Sequence, residues 1–234
     1  IMVAVAGSIS VYLIEADPGA RGLAVDGDIV RADEPSSEQR NLQLRPILRS
    51  RPFRQFYAAQ AALSIPVFVP FVHLVPFAED MGVPRAQAVG VLGLIGLGST
   101  AGRFIVGGLA DRLGRRQSLI LLLAGIAIAY AIWLMANSIM ALACFAIWFG
   151  ICYGGYVALM PALLADYFAG PKLSSVIGLQ YTAGAIGSLL GPILAGYAFD
   201  TYGTYTYALI ASAGFSLIAF YLVLTIPKAT TGNW

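Results

Sequence analysis

The chain has 234 residues, 59% of them hydrophobic and only 11% charged, with a formal net charge of +2. Together with a mean hydropathy of +0.78, this excludes a soluble domain with a polar surface and places the chain in a lipid bilayer. So small a net charge excludes little by itself, and the information lies in where the charges fall.

Ile1–Ile14 is apolar but too short to cross a bilayer alone. It has neither the basic start nor the small-residue cleavage site of a signal peptide, and reads as the truncated end of a transmembrane helix that closes an N-terminal bundle. Residues 15–54 are the only long polar segment, rich in Pro, Gly, Asp, Glu, Ser and Arg and without a periodicity that would build a core. They are expected to form a cytosolic linker. Within it, Asn41–Arg49 sets Leu42, Leu44, Ile47 and Leu48 among polar residues and is a candidate for lying on the membrane surface.

Six apolar stretches follow, at Gln55–Ala78, Ala86–Ala110, Leu119–Ala136, Ile139–Ala165, Ser175–Phe199 and Tyr205–Ile226. Each approaches the roughly 20 residues a helix needs to cross, and none alternates as transmembrane strands do. Asn137 and Ser138 alone separate the third and fourth stretches, which forces antiparallel neighbours. Residues 55–227 are therefore expected to be a six-helix transmembrane bundle and 228–234 a cytosolic tail. Cys144 and Cys152 lie about 12 Å apart along one helix, too far to bridge, and read as small apolar fillers.

Arg21, Arg31, Arg40, Arg45, Arg49, Arg51 and Arg54 precede the first full span, Arg112, Arg115 and Arg116 follow the second, and Lys172 and Lys228 follow the fourth and sixth. In a chain that weaves, all of these fall on one side and Arg85 on the other, so the linker and C-terminus are expected in the cytosol. A linker followed by six spans matches the second half of a transporter built from two six-helix bundles.

Pro66, Pro70 and Pro76 in the first span and Pro161 in the fourth each remove a backbone hydrogen bond and favour bends. Gly98 and Gly102 in the second span, and Gly187 and Gly191 in the fifth, are small-xxx-small pairs that let another helix approach closely. The remaining glycines of the second span, Gly90, Gly93, Gly96, Gly107 and Gly108, are read as packing residues too.

Arg103 sits inside the uncharged second span. A guanidinium near mid-bilayer costs roughly 2.5–3.5 kcal/mol, so it faces a polar cavity, a buried partner or a charged ligand. It shares its helical face with Gly96, Ser99, Gly107 and Ala110, about 12 Å from Asp111 at the cytosolic end. Glu79, Asp80, Asp111, Asp166 and Asp200 all sit at helix ends, which leaves backbone, another part of the protein or an anionic ligand as partner. His73 falls about 27 Å along its helix, near the outer interface, where it is either a polar ring at the membrane surface or a proton site.

The run Gly107-Gly108-Leu109-Ala110-Asp111-Arg112-Leu113-Gly114-Arg115-Arg116 resembles the loop motif of the major facilitator superfamily between its eighth and ninth helices. The resemblance implies an all-α membrane protein, here the six-transmembrane-helix C-terminal bundle of a twelve-helix fold with a truncated preceding helix. It also implies that Asp111, Arg112, Arg115 and Arg116, with Asp166 as a partner, form a cytosolic gating loop that holds one access state. Within that superfamily, Phe71-Val72-His73-Leu74-Val75-Pro76-Phe77, Gly98-Ser99-Thr100-Ala101-Gly102-Arg103, Tyr153-Gly154-Gly155 and Pro161-Ala162-Leu163-Leu164-Ala165-Asp166-Tyr167-Phe168 resemble the monocarboxylate-porter and oxalate/formate-antiporter branch.

In that branch the arginine matched by Arg103 binds the substrate carboxylate, a role suited to its planar fork of donors. Ser99 stands where proton-coupled monocarboxylate carriers have an aspartate, and Gly184 where oxalate antiporters have a lysine, so a monoanion is favoured over a dianion. Gln180, one turn before Gly184, and the hydroxyls of Tyr153 and Tyr181 complete the candidate substrate site. The expected function is a secondary active transporter, antiporter or symporter, moving a small monocarboxylate-like anion by alternating access in the plasma or inner membrane. Its expected partners are that anion, the bilayer, an N-terminal six-helix bundle of the same protein and a coupling proton or counter-substrate. The alternatives are a multidrug or metabolite exporter in which Arg103 is structural, and an inactive fragment or membrane scaffold. No nucleophile–base pair, metal-ligand cluster or phosphate-cradling loop is present in the sequence, so no enzyme activity, cofactor or metal is expected, and the basic residues lack the interleaved aromatics of a nucleic-acid site.

Overall fold

The computed structural model describes residues 44–168 and 172–227. The apolar stub at 1–14, residues 15–43 of the expected linker and the tail at 228–234 lie outside the described residues. A short helical segment over 44–49 leads into α1 (Arg51–Val67) and α2 (Val69–Asp80), then α3 (Arg85–Leu113), α4 (Arg115–Leu134), α5 (Ile139–Tyr167), α6 (Leu173–Tyr202) and α7 (Thr206–Leu224). With α1 and α2 taken together, six helical spans are long and apolar enough to cross a membrane.

The first span begins four residues before its apolar stretch, because Ser50 caps it. The Ser50 hydroxyl accepts from the Phe53 amide at 3.4 Å, and Pro52 supplies a preset φ in the first turn. The same span breaks at Phe68. Pro70 has no amide to give the Pro66 carbonyl, and that carbonyl is instead taken by the buried Tyr130 hydroxyl from α4. Pro161 and Pro192, by contrast, lie inside the continuous helices α5 and α6.

Neighbouring spans run antiparallel, and each end of the bundle is tied differently. At one end, called here the basic end, Arg115 at the start of α4 pairs with Asp166 near the end of α5, and Arg116 reaches the Leu224 carbonyl at the end of α7. The start of α1 joins them through Gln55, whose amide donates to the Thr225 hydroxyl at 2.9 Å. At the opposite end Phe77, Trp133, Phe199 and Tyr205 pack ring to ring. The core between α1, α2, α4 and α5 is aromatic, with Phe56, Tyr130, Trp133, Phe145 and Phe149 all fully buried.

Two helix crossings bring backbones into contact, since packing rather than the hydrophobic effect joins helices in lipid. Where α3 crosses α5, a Cβ on Gly102 would overlap the Ile151 carbonyl and one on Gly154 would overlap the Ser99 carbonyl. Where α1 crosses α6, a Cβ on Gly187 would overlap the Ser64 hydroxyl and one on Gly191 the Ile65 carbonyl. The other α3 glycines do not pack within this bundle: among the described residues, no atom lies within 4 Å of a Cβ on Gly90, Gly93, Gly96, Gly107 or Gly108, because they lie on the side of α3 turned away from α5.

This difference is measurable. Gly154→Ala should cost about 1–3 kcal/mol, the usual range for overpacking, whereas Gly93→Ala should be neutral or slightly stabilising by helix propensity. Thermal unfolding followed by size-exclusion in detergent would rank the two, and equal melting temperatures would contradict the crossing described here.

Candidate functional site

α1, α5 and α6 line a partly open cavity of about 340 Å³. Its polar wall comes from Gln60 and Ser64 of α1, Tyr153 and Tyr156 of α5, and Gln180, Tyr181 and Ser188 of α6. Leu63, Val67, Met160, Leu164 and Ile177 make much of the rest apolar, and no acid lines it. The structure thus brings together three of the residues expected from sequence, Gln180, Tyr153 and Tyr181.

Arg103 is not a lining residue. It lies exposed on α3 and makes no hydrogen bond or ion pair with any described residue; it follows Gly102 at the α3–α5 crossing, and Tyr153 of the cavity wall precedes Gly154 at the same crossing. Counting by rise per residue, Gln180, Gln60, Arg103 and Tyr156 lie about 10, 14, 15 and 17 Å from the basic ends of their helices. In a hydrocarbon core about 30 Å thick, this puts all four in its middle region.

Ser99 is buried one turn before Arg103, with its backbone against Gly154. It is not a lining residue, because the tight α3–α5 crossing closes over it; its place is in the joint that sets where Arg103 stands. Gln60 and Tyr156 were not singled out from the sequence. The Tyr156 hydroxyl donates to the Gln60 amide oxygen, and the Gln180 amide nitrogen donates to the Phe56 carbonyl at 2.8 Å. The available signal was Gln60 and Ser64, two polar residues four apart in an otherwise apolar span, which puts both on one helical face.

At the basic end, Arg115 holds Asp166 and also donates to the Ala162 carbonyl at 3.3 Å. Arg116 donates to the Leu224 and Ile226 carbonyls at 2.8 and 2.9 Å, satisfying backbone acceptors that the end of α7 leaves open. Asp111 and Arg112 are exposed beside them. Arg115, Arg116 and Asp166, with Leu113, Gly114, Gln117 and Tyr167, border a second, shallower cavity of about 220 Å³.

His73 lies near the end of its span, as its position along the helix implies, yet it is buried rather than interfacial. One ring nitrogen, Nε2, lies 2.9 Å from the Pro192 carbonyl of α6 and the other, Nδ1, 3.4 Å from the Tyr205 hydroxyl. A carbonyl only accepts, so Nε2 carries a proton and, in the neutral ring, Nδ1 accepts from Tyr205.

Comparison with known proteins agrees with this architecture. The profile of the Major Facilitator Superfamily matches residues 3–158 and 56–233. The chain is 32% identical over 173 residues to monocarboxylate transporter 12 of Xenopus laevis, covering 68% of this chain and 35% of that protein. It is 26% identical over 200 residues to monocarboxylate transporter 13 of Bos taurus, covering 84% of this chain and 46% of that protein. The chain therefore spans less than half the length of these relatives. Its fold is similar to the crystal structure of the human organic anion transporter MFSD10 (TETRAN), with a TM-score of 0.54 at 24% identity over 74% of this chain and 47% of that one.

The basic-end contacts differ in kind and should differ in strength. Asp166→Ala removes one half of a half-exposed ion pair and should cost less than about 1 kcal/mol. Arg116→Ala abandons two carbonyls through charge-assisted bonds and should cost about 1–2 kcal/mol. Thermal unfolding of the two variants in detergent checks the order; a larger loss for Asp166→Ala would reverse it.

Proposed function

The chain belongs to the major facilitator superfamily, and on that premise we propose that it is the substrate-binding helix bundle of a secondary active transporter for a small organic monoanion. The observation that carries this reading is Arg103, a guanidinium at mid-depth, exposed, without a partner among the described residues and beside the α3–α5 crossing that also places the cavity-lining Tyr153. Such a charge is costly in a membrane unless it meets water or a counter-charge. A carboxylate supplies that counter-charge in two parallel hydrogen bonds.

One cation and no lining acid suit a single negative charge, because a second carboxylate would be desolvated without compensation. Tyr153, Tyr181 and Gln180 then complete the polar side of the pocket, and Ser99 fixes the helix that presents Arg103. The names of the relatives, monocarboxylate transporters 12 and 13, point the same way.

In this reading the exposed faces of α3 and α6 meet a second six-helix bundle of the same transporter, which supplies the other wall of the site. The basic end faces the cytosol by the positive-inside rule. There the Arg115–Asp166 pair, the Arg116 bonds to α7, Asp111 and Arg112 form a latch that holds one access state and releases as the bundles tilt.

Uptake of radiolabelled small carboxylates by the full-length protein in proteoliposomes tests the proposal. Arg103→Ala should abolish uptake and Arg103→Lys should reduce it by at least about tenfold, since a lysine cannot form the two-point contact. Unchanged uptake in both variants, with normal insertion, would remove Arg103 as the substrate anchor and favour an exporter in which it is structural.

A further inference from the structure

The cavity has two ends of different chemistry. Most of the polar atoms in its wall are spent on the protein itself. The Ser64 hydroxyl donates to the Ala61 carbonyl at 2.9 Å, and the Ser188 hydroxyl to the Ala185 carbonyl at 2.8 Å. The Tyr156 hydroxyl donates to the Gln60 amide oxygen, and the Gln180 amide nitrogen to the Phe56 carbonyl. The Gln180 amide oxygen is covered and meets no occupant. Among the described residues, the wall then keeps three donors for a ligand: the Tyr153 and Tyr181 hydroxyls and the Gln60 amide nitrogen.

These donors gather toward one end. By rise per residue they stand about 12–21 Å from the basic ends of their helices, and Arg103, at about 15 Å, is level with them. Met160, Pro161, Leu164 and Ile177 stand only about 5–10 Å from the basic ends and line the other end of the cavity with apolar side chains. On α5 alone, Tyr153 precedes Met160 by about 10 Å and Leu164 by about 16 Å. A two- or three-carbon acid held by Arg103 beside Tyr153 stops short of that apolar end. Water fills it poorly, because an ordered water needs about two to four polar partners.

We propose that the substrate is a monocarboxylate with an apolar body at least the size of a phenyl ring. Its carboxylate sits at the Arg103 level, and its body runs toward the basic end against Met160, Pro161, Leu164 and Ile177. A volume of about 340 Å³ lies within the usual range of ligand pockets and holds such a body, whereas a two- or three-carbon acid leaves most of it empty. An unfilled apolar recess forfeits the contacts that its lining atoms would otherwise make. The inference rests on the monoanion reading of Arg103 and deepens it, by assigning size selection to the apolar end of the cavity.

The test is isothermal titration calorimetry of the full-length protein in detergent with butanoate and with 4-phenylbutanoate, which differ by one phenyl ring. The wild type should bind 4-phenylbutanoate at least about tenfold more tightly, the gain expected from burying a ring of that size. Arg103→Ala should bind neither acid, and it also measures what the detergent alone takes up. Ile177→Trp fills the apolar end and should bring the two dissociation constants within about threefold of each other; Ile177→Asn, which makes that end polar without added bulk, should do the same. Equal wild-type affinities for the two acids would overturn the inference and leave the Arg103 reading intact. A tenfold preference kept in both Ile177 variants would overturn the placement of the body at the apolar end. Binding of neither acid by the wild type, or equal binding of 4-phenylbutanoate by the wild type and Arg103→Ala, would overturn the carboxylate reading and this inference with it.

Discussion

Close backbone approach at two glycine crossings sets every distance in the candidate site. Lipid tails are as apolar as leucine, so helices in a bilayer hold together through packing and hydrogen bonds. The α3–α5 crossing, at Gly102 and Gly154, sets where Arg103 and Tyr153, their sequence neighbours, stand relative to each other. The α1–α6 crossing, at Gly187 and Gly191, lays Gln180 against Phe56 and sets Gly184 against Gln60. Neither crossing places a charged group in the cavity wall, yet widening either one would pull apart the helices that line the candidate site.

The first span shows how one sequence serves two purposes. Its break at Phe68 separates α1, which walls the cavity, from α2, which carries His73 to the Pro192 carbonyl and the Tyr205 hydroxyl. Apart from the exposed Arg85–Glu79 pair that joins the end of α2 to the start of α3, the far end of the bundle is held by buried hydrogen bonds and packed rings, which exchange poorly with water. The basic end is held by partly exposed ions, which exchange easily. In the proposed transporter this asymmetry makes the basic end the easier one to open, and it gives Arg115, Arg116 and Asp166 a role that depends on their weakness as much as on their contacts.

Hydropathy made the six spans and the helical class legible, because a bilayer imposes one length and one backbone pattern on any chain that crosses it, and the residues 107–116 made the family legible. Arg103 was legible for the same reason: a charge in an apolar span is rare. Gln180 and the tyrosines were found through resemblance and a shared helical face. Gln60 and Tyr156 were missed because uncharged polar residues raise little signal in a span, and their pairing across α1 and α5 depends on tertiary contact. The burial of His73 was missed too, since distance along a helix gives depth and says nothing about what covers the residue. The α3 glycines divide into packed and open ones for a reason that spacing alone does not carry, namely which side of the helix meets α5.

The proposed chemistry also suggests how binding drives movement. An empty site keeps the Arg103 charge at mid-depth with only water to solvate it, and closing the bundles over it would strip that water away. A bound monoanion cancels the charge, and the remaining polar groups, the two amides and the tyrosine hydroxyls, are neutral and need only hydrogen bonds. Closure is therefore less costly when loaded than when empty, and a ligand shifts a conformational equilibrium only through such a difference between states. In the proposed site, one arginine beside a cavity that no acid lines among the described residues meets that condition for a single negative charge: without a substrate the arginine is bare, and a dianion leaves a carboxylate bare. Charge matching then selects the substrate and couples it to the closing step through the same side chain.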